Sequence, residues 1–152
     1  MNKLIVIAAL GVAALTAAEH VSVGAWKLNP AKSKGINPEP KSSVFTATMD
    51  GNARTLETHT VAADGKETHT KATLILDGKE HPFTGTGGPA YNTYVSRPAG
   101  SHVNTTEFKK AGQVVRTVKV TYSKDGKTRT MRAKGINAQG TAYDTTAVYE
   151  RQ

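Results

Sequence analysis

Apolar and polar residues alternate with a period of two through most of the chain, in runs broken at near-even intervals by glycine-containing turns. The turn signals are "MDGN" (49–52), "ADGK" (63–66), "LDGK" (76–79), "GTGGP" (85–89), "RPAG" (97–100), "KKAG" (109–112), "KDGK" (124–127) and "NAQG" (137–140). Asp-Gly between runs of β-branched residues is the strongest short-range hairpin signal. The pattern predicts ten strands, at 22–29, 43–49, 53–62, 66–76, 79–86, 90–97, 102–109, 113–123, 128–135 and 141–150. No window carries a helical period of any length. Strands joined by hairpins form a meander, and a long meander avoids open edges best by closing on itself. The expected fold is therefore all-β, a single up-and-down antiparallel barrel of about 8–10 strands. The one long connection, 29–42, contains Pro30, Pro38 and Pro40 and is predicted to be non-helical.

The N-terminus departs from this pattern. Lys3 precedes an unbroken apolar run from Leu4 to Leu15, followed by Thr16-Ala17-Ala18. A short positive region, an apolar stretch and small residues in that order are the signature of a secretory signal peptide. The run is shorter than the about 20 residues a membrane span needs. Cleavage is expected near Ala18, giving a signal peptide at 1–18 and a barrel domain at 19–152. The chain has no cysteine, so the exported domain is held by its core without disulfides. A periplasmic or secreted location follows as the expectation, with no transmembrane span. The net charge is +8. Its lysines are spread about one per turn, without the stripe or motif of a nucleic-acid binder. Weak, salt-sensitive contact with anionic surfaces is the partner chemistry that remains.

The segment "ETHTVAADGKETHT" (57–70) repeats a tetrapeptide across a turn. A three-residue loop, Ala63-Asp64-Gly65, puts Gly65 in the left-handed conformation and pairs Ala62 with Lys66. His59 then lies opposite His69, and Glu57 opposite Lys71. A two-residue loop would send the histidines to opposite faces. In the three-residue register the charged residues share one face, which belongs in water. His59 and His69 are thus expected as an exposed cross-strand pair. They are the metal candidates, but a zinc site takes three or four ligands and no fixed third one is evident. The opposite face carries Leu56, Thr58, Thr60, Thr68, Thr70 and Leu74. Such small side chains leave room inside a barrel, though threonine is also simply a good strand former. A hollow barrel and a filled one are both consistent with it.

Near the C-terminus Val118, Val120 and Tyr122 share a face, and so do Arg129, Met131 and Ala133 on the next strand. An even-numbered 124–127 turn joins these sets and brings Arg129 opposite Tyr122. It also puts Lys119 beside Arg132, a like-charge pair. A three-residue loop instead turns Arg132 and Lys134 inward. The two registers stay open on sequence grounds. Tyr143, Thr145, Ala147 and Tyr149 alternate together on the last strand.

"GAWKLN" (24–29) resembles the Gly-x-Trp opening of the calycin barrels, the lipocalins and fatty-acid-binding proteins, and "TTAVYERQ" (145–152) is similar to the last strand of the latter. Together with "YSKDGKT" and "GINAQG", these stretches resemble small exported bacterial lipocalin-like proteins. The resemblance implies an up-and-down barrel around a small apolar or amphipathic molecule. It implies that Trp26 plugs the closed end, with Gly24 letting the chain pass close by. Tyr149 matches the last-strand tyrosine of fatty-acid-binding proteins, which follows by two residues the arginine that grips their ligand's carboxylate. The arginine those proteins carry two residues earlier is Ala147 here, and 29–42 lacks room for their two capping helices.

Other constellations point to no cofactor. "FTGTGGP" (83–89) lacks the Gly-Lys-Ser/Thr ending and the helix of a phosphate loop. Ser101 and His102, as adjacent strand residues, are expected to face opposite ways. No catalytic set emerges. The sequence therefore predicts an exported, non-enzymatic binding protein that holds its ligand through Thr58, Thr70, Tyr122, Met131 and Tyr149, with Arg129 anchoring an anionic group. The alternatives are a filled barrel acting through its surface on anionic partners, and a metal protein centred on His59 and His69.

Overall fold

The computed structural model describes residues 19–86 and 91–152; the expected signal peptide lies outside them. Ten strands follow one another: β1 (Gly24–Leu28), β2 (Ser42–Asp50), β3 (Ala53–Val61), β4 (Glu67–Ile75), β5 (Glu80–Pro82), β6 (Thr93–Pro98), β7 (Val103–Lys110), β8 (Gln113–Tyr122), β9 (Thr128–Ile136) and β10 (Ala142–Arg151). The helical content of the described residues is one 3-10 turn, Pro30–Lys32. All pairings are antiparallel and run β4-β3-β2-β1-β10-β9-β8-β7-β6-β5. Sequence neighbours are thus sheet neighbours, and β1 pairs with β10 to bring the first and last strands together. The result is an up-and-down barrel with one open seam, between β4 and β5.

The seam exists because β5 is short. The alternation predicts a strand over 79–86, but β5 spans Glu80–Pro82, with one further hydrogen bond from Phe83 N to Asn92 O at 3.0 Å, and Pro82 has no N–H to donate. Two bridges span the gap instead. Thr86 N donates to Lys71 O (2.9 Å), and Ile75 N donates to the Tyr94 hydroxyl (2.8 Å).

The Asp-Gly turn sets the β3–β4 register. Gly65 has φ +90°, and Ala62 N donates to Lys66 O at 2.8 Å. His59 accordingly pairs with His69, and Glu57 with Lys71. The 124–127 turn takes the even register, with Tyr122 opposite Arg129 and Lys119 opposite Arg132. The like-charge pair is tolerated because β10 supplies Asp144. Arg132 donates from Nε (3.0 Å) and Nη2 (2.7 Å) to both oxygens of Asp144, and Lys134 lies 3.3 Å away.

Hydrogen bonds from Arg132 hold the Asp144 carboxyl down at about 2, against an ordinary 3.8. A depressed carboxyl stabilises the fold above its ordinary pKa and loses that contribution as pH falls towards the folded value. Asp144→Asn is therefore expected to lower the urea midpoint above pH 5. The gap from the parent protein should narrow below pH 4 and vanish only below about pH 2, once the carboxyl is protonated in both states. A gap independent of pH would mean that Asp144 acts through something other than its charge.

The core is gathered toward one end. Trp26 is fully buried and packs on Phe45 (ring centroids 6.2 Å apart) and Tyr122 (5.5 Å). Its indole N–H donates to Ser22 O at 3.0 Å, tying the segment before β1 across the barrel end. Arg151 covers the other side of the indole, 4.5 Å from the ring, and donates to the carbonyls of Val21 (2.6 Å), Val23 (2.5 Å) and Gly126 (2.7 Å). Gly24 makes this approach feasible. Its φ is +123°, and a Cβ there would stand 2.7 Å from Arg151 Nη1.

Candidate functional site

Alternation places Arg54, Leu56 and Thr58 of β3 on the inner face with Thr70, Ala72 and Leu74 of β4. Across the barrel, β8 and β9 contribute Arg116, Val118, Val120, Arg129 and Met131. Adjoining voids lie between these walls. One, of ≈ 270 Å³, is lined by Phe45, Leu56, Thr58, Thr70, Phe83, Tyr91, Arg129, Met131 and Tyr149, among others. A deeper one, of ≈ 130 Å³, reaches Arg54, Leu74, Thr106 and Val120. Leu56, Leu74, Phe108, Arg116, Arg129 and Met131 border both. Toward the far end, residues 35–40 overhang a mouth of ≈ 480 Å³ lined by Leu28, Ile36, Pro40, Met131, Tyr143 and Tyr149. Met131 and Tyr149 border both this mouth and the ≈ 270 Å³ void, so the mouth adjoins the space beside Arg129. The larger inner void lies just below the ≈ 300–1,000 Å³ typical of small-molecule pockets.

The arginines dominate the chemistry of this interior. Arg54 is 2% exposed and Arg129 is 4% exposed. The guanidinium of Arg129 lies 4.6 Å from the Phe45 ring centre and 5.3 Å from that of Tyr149. Arg116 lies farther from the Trp26 end, 5.7 Å from the Phe108 ring centre, and donates to the Tyr91 hydroxyl at 3.2 Å. None of the three forms a salt bridge among the described residues. All 12 acids of the chain fall within the described residues, and none of them is buried. Positive charge inside the barrel is therefore uncompensated by protein. The Nε atoms of Arg54, Arg116 and Arg129 and the hydroxyl of Tyr122 are buried without a hydrogen-bond partner. Burial pulls the Arg54 guanidinium below its ordinary range. Tyr122 nearby opposes that shift, and Arg129 adds to it. An arginine keeps its proton even so.

Of the residues singled out from sequence, Thr58, Thr70, Arg129, Met131 and Tyr149 border the ≈ 270 Å³ void together. Tyr122 lies deeper, between Trp26 and Arg129. Ala147 leaves β10 without an arginine before Tyr149. Arg129, directly opposite Tyr149 on β9, brings its guanidinium to that tyrosine from the neighbouring strand. Arg54 and Arg116 escaped the sequence reading, although each is in phase with an inward apolar set, Leu56 for one and Val118 and Val120 for the other.

Two clusters lie outside the lumen. On the outer face, the rings of His59 and His69 stack 4.3 Å apart, and His59 Nε2 is 3.1 Å from Glu67 Oε2. Ser101 Oγ and His102 Nδ1 are 2.8 Å apart, which corrects the expectation that they face opposite ways. They sit in the turn before β7, where strand alternation does not apply. Among the described residues no carboxylate hydrogen-bonds this histidine, so the pair lacks the orienting group of a catalytic triad.

No protein-family model matches the chain, and no curated protein matches it in sequence. Solved structures do match in fold. The zebrafish ileal bile acid-binding protein in complex with cholic acid aligns at a TM-score of 0.58 and 16% identity, covering 87% of this chain and 99% of its own. The siderocalin Ex-FABP aligns at 0.48 and 10% identity, over 87% of this chain and 71% of its own. Lobster apocrustacyanin A1 aligns at 0.47 and 11% identity, over 87% and 61%. The chain thus shares its fold, an up-and-down antiparallel barrel, with the bile acid-binding protein.

Proposed function

We propose that this is an exported, non-enzymatic binding protein that takes a small amphipathic anion into the barrel. The anionic group meets Arg54 and Arg129, with the Tyr122 hydroxyl as a further donor. The apolar part lies along Leu56, Leu74, Met131 and the Phe45 and Tyr149 rings, toward the mouth. One observation carries the reading: two guanidinium groups are almost fully buried, and none of the chain's acids is buried with them. A buried charge without a partner costs several kcal/mol. A carboxylate, phosphate or sulfonate would remove that cost and form strong charge-assisted hydrogen bonds with the free Nε–H groups. A solved structure that aligns over 87% of this chain and 99% of its own holds cholic acid, an amphipathic carboxylic acid, and this supports the ligand class. Export rests on the apolar run at 4–15 and the small residues after it.

The test uses two fluorescent probes of similar ring size, anionic 1-anilinonaphthalene-8-sulfonate and neutral N-phenyl-1-naphthylamine. The folded full chain is expected to take up one equivalent of the anionic probe, at least tenfold more tightly than the neutral one. Native mass spectrometry of freshly purified protein is expected to show a co-purified small acid. Uptake of neither probe with no bound mass would overturn the proposal, and equal affinity for both would remove its anionic part.

A further inference from the structure

The hairpin histidines were one ligand short of a metal site on sequence grounds, and the fold supplies the third. Ala62 and Lys66 are a hydrogen-bonded pair. Hydrogen-bonded and non-hydrogen-bonded pairs alternate along an antiparallel ladder, so His59 and His69 occupy a non-hydrogen-bonded pair, where side chains stand closest. Their rings lie 8° from parallel with centroids 4.3 Å apart. Glu67, two residues before His69 on the same outer face of β4, reaches across to His59 at 3.1 Å. One ligand atom from each of the three lies within 4.8 Å of the others. Ligand atoms about 2.1 Å from a tetrahedral zinc stand about 3.4 Å apart, so small side-chain rotations on an exposed strand close the site.

We propose that His59, Glu67 and His69 form a surface site for a divalent transition metal of the Zn²⁺ or Cu²⁺ class, separate from the lumen. Two imidazoles and one carboxylate are the donor set these ions favour, and the histidines disfavour Mg²⁺ and Ca²⁺. Local charge permits a cation here. The nearest lysine along the face, Lys71, is held by Glu57 at 2.7 Å. Three protein ligands leave coordination positions facing solvent, as in an open site. Exposed ligands on one hairpin are expected to give micromolar affinity.

The experiment titrates untagged full-length protein with ZnCl₂ and separately with CuCl₂ by calorimetry, followed by native mass spectrometry. One equivalent of metal per chain is expected, Cu²⁺ binding more tightly than Zn²⁺. His59→Ala with His69→Ala is expected to weaken binding at least tenfold, and Glu67→Gln several-fold. Both variants should keep the parent's circular dichroism and melting temperature, because the positions face water. The pair His81→Ala and His102→Ala should leave binding unchanged. Three results would overturn the site: no binding below 1 mM, full binding in the His59/His69 variant, or equal loss in the His81/His102 variant.

Discussion

Trp26→Ala is expected to destabilise the barrel by about 3–5 kcal/mol, the range for truncating a buried large aromatic. A domain of this size holds roughly 5–15 kcal/mol in total, so the variant sits near the edge of folding. Three losses combine. The indole leaves a cavity against Phe45 and Tyr122, Ser22 O loses its donor, and Arg151 loses the ring it covers. Trp26→Phe keeps much of the packing and drops only the N–H, so it is expected to cost about 1–2 kcal/mol. Arg151→Ala removes three contacts to carbonyls, yet these are solvent-exposed, and its cost should fall between the two. Urea unfolding followed by far-UV circular dichroism ranks all three, since the chain has a single Trp and fluorescence fails for the first two variants. If Trp26→Ala costs less than 1 kcal/mol, the closed end is not where the barrel is anchored.

The same residues show what could be read from the chain and what could not. Asp64-Gly65 fixed a register locally, because only one turn gives Gly65 its positive φ and keeps the charged face outward. The β3–β4 pairings that this turn sets, His59 with His69 among them, were legible. The Lys124–Lys127 turn was not. Its two registers each carried a visible fault, and the tie was broken by Asp144, remote in sequence from the Lys119–Arg132 pair it relieves. The ending of β5 at Pro82 was printed in the sequence but outweighed by the alternation around it. Arg54 and Arg116 had a usable signal, namely an arginine in phase with an inward apolar run. Hydropathy conventions set charged residues outside, and that habit hides a cation whose burial serves a ligand. The third metal-site residue depended on a diagonal reach across two strands, which pairing arithmetic alone does not supply.

Replacing Arg54 and Arg129 together by methionine is expected to separate stability from binding. Methionine follows much of the arginine stem and carries no charge. Exchanging buried ionic groups for packed apolar ones is often neutral or stabilising by about 1–4 kcal/mol. The gain is not the same at the two positions. Arg129 loses its contacts with the Phe45 and Tyr149 rings, worth about 0.5–2 kcal/mol, so Arg129→Met alone should be close to neutral. Arg54 stacks over no aromatic ring among the described residues, and most of the stabilisation should come from Arg54→Met. The double variant should melt several degrees higher than the ligand-free parent. It should also bind 1-anilinonaphthalene-8-sulfonate at least a hundredfold more weakly, as expected when two charge-assisted contacts are lost. Its affinity for the neutral probe should hold or rise, because the lumen becomes more apolar. Thermal melts of ligand-stripped protein and the paired probe titrations give both readouts. A double variant that melts lower than the parent, with anionic binding intact, would mean that the arginines are satisfied within the free barrel and serve its architecture. A higher melting temperature with anionic binding lost would identify them as groups held in an unfavourable place for the sake of what they bind.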